Sequence, residues 1–83
     1  MDFNGSHILS TDQFDRSDID QLFSVADDLE PYSLRKKVTR VLEGAILGNM
    51  FFEPSTRTRI SFGAAFNLLG GAVRETTEVG TSS

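Results

Sequence analysis

The chain reads as an α/β fold: one amphipathic helix, then strand, helix and strand in the parallel sheet of a doubly wound domain. Three observations predict it. Apolar residues recur at helical spacing between 16 and 30, and an almost unbroken apolar run occupies 45–52. A second helical segment, 56–69, closes on two glycines and leads into a β-prone stretch at 72–77. A short, continuous apolar run suits a strand covered on both faces, and parallel strands need a crossover connection of about a dozen residues or more.

Residues 1–6 read as loosely attached, and 7–9 as a short extended piece. Asp15 is the expected N-cap of the first helix. Asp18, three residues on, gives a capping-box-like arrangement. Ile19, Leu22, Phe23, Ala26 and Leu29 form the apolar stripe, whereas Asp20, Asp27, Asp28 and Glu30 lie mainly off it and read as a solvated face. Pro31 is expected to end the helix. The basic group Arg35, Lys36, Lys37 and Arg40 falls in a linker or helical turn, where four charges beside an acidic helix are expected to solvate or pair at the surface.

Gly44 marks the turn before the strand, within which Phe51 and Phe52 are expected in the core. The second helix carries Ile60, Phe62, Ala64, Ala65, Phe66, Leu68 and Leu69 and leaves a narrow polar strip at Ser61, Gly63 and Asn67, a pattern that wants burial nearly all round. Gly70 and Gly71 supply the stop. Strand, helix and strand then fit a right-handed crossover. Residues 78–83 read as loop.

Composition bounds the function. Eighty-three residues allow one small domain, marginal without help. With no cysteine and a single histidine, His7, neither a disulfide framework nor a recognisable metal cluster is expected. The apolar runs are far shorter than a membrane span and the first residues lack the regions of a signal peptide, so cytoplasm is the default. A net charge of −4 argues against nucleic-acid binding, and any anion site must be local.

The most specific chemical signal is 51–59, FFEPSTRTR. An apolar run ends, proline breaks it, and hydroxyl and guanidinium side chains open a helix. Helix N-termini leave N–H groups unpaired and carry partial positive charge, so an anion there gains hydrogen bonds and a favourable field together. Ser55, Thr56 and Thr58 add hydroxyl donors, and Arg57 and Arg59 add planar forks able to grip two oxygens. The plainer alternative is an ordinary cap, with Ser55 bonded to the helix start and the arginines as surface charges. The flanking strand, proline and double glycine weigh against it.

This run resembles the signature of the aspartate and ornithine carbamoyltransferase family, in which S-T-R-T-R follows the first strand of the carbamoyl-phosphate domain. The likeness continues through Ile60-Ser61-Phe62 and Leu69-Gly70-Gly71 and extends back to His7-Ile8-Leu9-Ser10. Pro54 points to the aspartate branch. Gly63 departs from the glutamate that many members carry.

The resemblance implies that 1–83 form part of a carbamoyl-phosphate-binding domain, with the second, aspartate-binding domain absent. It also implies transfer of the carbamoyl group from carbamoyl phosphate to L-aspartate in pyrimidine biosynthesis, without metal or organic cofactor, by a homotrimer of catalytic chains with or without regulatory chains. It assigns Ser55, Thr56, Arg57 and Thr58 to carbamoyl phosphate, with Arg57 neutralising phosphate. Arg59 is implied to support the site, paired with an acid such as Glu53. Ser83 falls where the family places a serine in a mobile active-site loop. An isolated chain of this length is expected to be catalytically incompetent. Two alternatives remain open: a transferase acting on ornithine or another amine, and a non-catalytic phosphate-binding module.

Overall fold

The computed structural model describes residues 1–76. They fall into two compact units divided after Glu30. In the first unit, residues 1–6 are not loose as the sequence suggested. The Ser6 N–H donates to the Phe3 carbonyl, the Asn4 N–H to the Asp2 carboxylate, and the Phe3 and Phe14 rings lie 6.0 Å apart. A short 3-10 turn, Thr11–Gln13, follows, with Ser10 and Gln13 capping it reciprocally.

Helix α1 is Arg16–Ser33. Its start is the capping box anticipated from Asp15 and Asp18: the Asp18 N–H donates to the Asp15 carboxylate and the Asp15 N–H to the Asp18 carboxylate, each at 2.9 Å. The Asp18 N–H and the Ser17 hydroxyl hold the Asp15 carboxyl below its ordinary pKa. Asp18 itself is only 4% exposed. It also takes the Met1 ammonium at 2.9 Å, which raises that ammonium above its usual value.

Pro31 does not end α1 but lies inside it. Proline lacks a donor, not an acceptor, and the helix closes on its carbonyl: the Lys36 N–H donates to Pro31 and the Arg35 N–H to Tyr32. This six-to-one, five-to-two pairing is a Schellman stop, with Arg35 in the left-handed region at φ 60°.

In the second unit, β1 (Ile46–Met50) and β2 (Ala72–Thr76) pair in parallel, with Leu47 opposite Val73 and Asn49 opposite Glu75. Helix α2, Thr56–Leu68, connects them and packs on the sheet. Strand alternation sorts the side chains. Leu47, Asn49, Phe51 and Val73 are buried or half-buried. Ile46 and Met50 are 66% and 65% exposed, and Phe52 is 56% exposed. The expectation of a strand covered on both faces, with Phe52 in the core, is thus corrected within the second unit, where α2 covers one face.

The helix pattern is corrected in the same way. Ile60 and Phe62 are exposed, while Gly63, assigned to the polar strip, is buried beside Asn49 and Val73. A Cβ there would meet the Asn49 amide at 3.6 Å and Val73 at 3.9 Å, ordinary contact distances, so this position faces the sheet without demanding glycine.

Helix α2 ends as its glycines predict. The Gly71 N–H donates to Phe66 and the Gly70 N–H to Asn67, a second Schellman stop. Gly70 sits at φ +97°, and a Cβ there would lie 2.6 Å from the Arg40 Cα, so both conformation and space demand glycine. The Leu42 N–H bonds the Leu69 carbonyl, tying the connection before β1 to the end of α2.

Candidate functional site

The residues singled out by sequence lie together at the C-terminal end of β1. After Met50 the chain leaves the strand, passes Pro54 and enters α2 at Thr56. Proline favours this turn by preventing continued strand pairing. Pro54, Ser55, Thr56, Arg57 and Thr58 line a concavity of about 700 Å3.

Two features suit this concavity to an anion. First, the Arg59 N–H is the first to bond back, to the Ser55 carbonyl at 2.9 Å, which leaves the N–H groups of Thr56, Arg57 and Thr58 without a partner among the described residues. Ser55 occupies the N-cap position but its hydroxyl makes no capping bond, so the ordinary-cap alternative is not the arrangement observed. Second, among the described residues Arg57 forms no ion pair and is exposed. The concavity thus gathers a guanidinium, three hydroxyls and the positive end of a helix, with no carboxylate among the described residues that line it.

Arg59 points its charge elsewhere. Its guanidinium donates to a carboxylate at 2.9 Å as expected, but the acid is Glu75 and not Glu53. Sequence reasoning also missed Asn49, whose side-chain amide donates to the Arg59 carbonyl at 3.0 Å. An asparagine inside an apolar strand run was the available signal, because buried amides are retained with partners. Ser83 lies outside the described residues. Among the described residues, no three His, Cys, Asp or Glu side chains gather as a metal site, and no helix is long and apolar enough to cross a membrane.

The family model for the aspartate/ornithine carbamoyltransferase carbamoyl-P binding domain matches residues 6–83. The aspartate carbamoyltransferase catalytic subunit of Saccharophagus degradans is 78% identical over 77 residues, covering 93% of this chain and 23% of that protein. That of Cellvibrio japonicus is 74% identical over 83 residues, covering 100% of this chain and 25% of its own length. Among solved structures, aspartate transcarbamoylase from Trypanosoma cruzi in complex with carbamoyl aspartate and phosphate superposes with a TM-score of 0.83 at 39% identity, over 95% of this chain and 25% of that one. The chain spans about a quarter of the length of the curated relatives it matches.

Proposed function

Since the chain belongs to the aspartate/ornithine carbamoyltransferase family, we propose that it supplies the carbamoyl-phosphate seat of an enzyme that carbamoylates L-aspartate. The observation that carries this reading is the opening turn of α2, where three unpaired N–H groups, an unpaired Arg57 and the hydroxyls of Ser55, Thr56 and Thr58 share one concavity. In the reaction the amine attacks the carbamoyl carbon, a tetrahedral intermediate forms, the carbon–oxygen bond to phosphate breaks, and the nitrogen gives up one proton, which the released phosphate carries in the net balance. Charge grows on the carbamoyl oxygen and on the departing phosphate. Donors already aimed at those oxygens stabilise the transition state without reorganisation.

Arg57 neutralises phosphate in this reading, Thr58 donates to a carbamoyl or phosphate oxygen, and the N–H groups of 56–58 hold the rest. Arg59, occupied by Glu75, supports the turn. The chain forms part of the carbamoyl-phosphate-binding domain, and groups outside residues 1–83 bind the amine. The assembled enzyme acts as a cytoplasmic homotrimer in pyrimidine biosynthesis. Aspartate is preferred to ornithine as acceptor on the strength of Pro54 and of the aspartate enzymes among the relatives.

The test is carbamoyl transfer by the intact protein carrying this sequence, with aspartate and ornithine supplied separately. Turnover with aspartate is expected, and Arg57→Ala is expected to lower kcat/KM by about 10²- to 10³-fold, the scale of losing one transition-state donor. Near-normal kinetics in that variant would overturn the role of Arg57. Turnover with ornithine alone would overturn the acceptor.

A further inference from the structure

Neither Asn49 nor Glu75 lines the concavity, yet both grip the turn that forms it. They stand directly opposite each other on the paired strands β1 and β2, and both reach the same residue of α2. Asn49, 5% exposed, donates its side-chain amide to the Arg59 backbone carbonyl at 3.0 Å. Glu75 accepts from the Arg59 guanidinium at 2.9 Å. One residue at the opening of the helix is therefore held at its backbone by one strand and at its side chain by the neighbouring strand.

We propose that Asn49 and Glu75 are positioning residues for carbamoyl-phosphate binding, acting through Arg59; this rests on the function proposed above. The effect is geometric. The Arg59 N–H bonds the Ser55 carbonyl, so fixing Arg59 on the sheet also fixes the turn 55–59, whose free N–H groups must point at one set of oxygens. Gly63, one turn further on, is buried, and the place of its missing side chain lies 3.6 Å from the Asn49 amide, so this face of α2 rests directly on Asn49.

The pairing also divides the labour of the two arginines. Glu75 engages Arg59 and leaves Arg57 as the cation of the concavity. Either contact alone would hold a point. Two contacts from adjacent strands hold an orientation, which a donor array needs if misplacement is not to weaken every bond to the anion together.

The test uses the intact protein with Glu75→Ala, Glu75→Gln, Asn49→Ala and Arg57→Ala, measuring KM for carbamoyl phosphate, the inhibition constant of inorganic phosphate, KM for aspartate and Tm. Glu75→Ala and Asn49→Ala are each expected to raise the first two constants together by about tenfold, while KM for aspartate stays within about twofold. Glu75→Gln keeps an acceptor for the guanidinium and is expected to recover most of the affinity, which separates loss of position from loss of fold. A fall in Tm with unchanged carbamoyl-phosphate and phosphate constants would reduce the clamp to a purely structural contact and overturn the proposal. Normal phosphate inhibition in Arg57→Ala would instead overturn the phosphate seat itself, and the clamp with it.

Discussion

Ser55 stands at the N-cap of α2 with its hydroxyl unbonded to the helix, whereas Ser10 at the preceding 3-10 turn is engaged in a full capping box. The same residue type thus stands in two different arrangements at a helix start. A bonded serine cap contributes about 1 kcal/mol. Ser55→Ala is expected to cost less than about 0.5 kcal/mol in thermal or urea unfolding of the intact protein, because no capping bond is lost, while weakening carbamoyl-phosphate binding measurably. A destabilisation of a full cap's size with unaltered affinity would mean that Ser55 caps after all. Gly70 is the opposite case, silent in chemistry and decisive in structure. Gly70→Ala must adopt φ near +97° and place a methyl 2.6 Å from the Arg40 Cα. A loss of at least about 2 kcal/mol in the same unfolding experiment is expected, from left-handed strain together with steric overlap.

At the scale of elements, both helices close on a Schellman stop, and α1 also has a bonded start. For α1 the start depends on ionisation. Asp15 accepts from the Asp18 N–H and the Ser17 hydroxyl, and its pKa is lowered in the folded chain. A depressed carboxyl contributes stability that is present above its ordinary pKa and disappears as pH falls through the lowered folded value. Amide exchange at 16–19 is therefore expected to quicken as pH drops through that acidic window, after correction for intrinsic rates. Asp15→Asn, which keeps an acceptor oxygen but cannot titrate, is expected to abolish the Asp15 contribution to this dependence.

The elements were also where the sequence was most legible. Periodicity located both helices, the apolar run located β1, and Gly70-Gly71 located the end of α2. What escaped were features decided by partners distant in sequence. Pro31 looked terminal because its missing donor is visible in sequence, whereas the stop depends on the left-handed Arg35 and on the Pro31 carbonyl. Gly63 looked polar by its place on the helical wheel, but helix-to-sheet packing gives it a buried position. The partner of Arg59 was sought nearby at Glu53 and lies across the fold at Glu75, brought there by the register of β1 against β2. The 55–58 cluster was legible because its residues are contiguous; Asn49 was not, because its role exists only once the helix lies over the strand.

For the molecule as a whole, none of the described apolar residues is fully buried, and Phe23, Ile46, Met50, Phe52 and Phe62 are all largely exposed. An 83-residue polypeptide with this surface is expected to bind hydrophobic dyes and to unfold with little cooperativity when prepared by itself. A sharp thermal transition without dye binding would contradict that expectation. The proposed phosphate seat is one turn, where the N–H groups of Thr56, Arg57 and Thr58 lack backbone partners and the same residues line a concavity. The most direct measurement is residue-resolved amide hydrogen exchange in the intact protein with and without carbamoyl phosphate. Marked slowing at Thr56, Arg57 and Thr58 that Arg57→Ala diminishes is the predicted result. Unchanged exchange at those three amides under saturating carbamoyl phosphate would contradict the account.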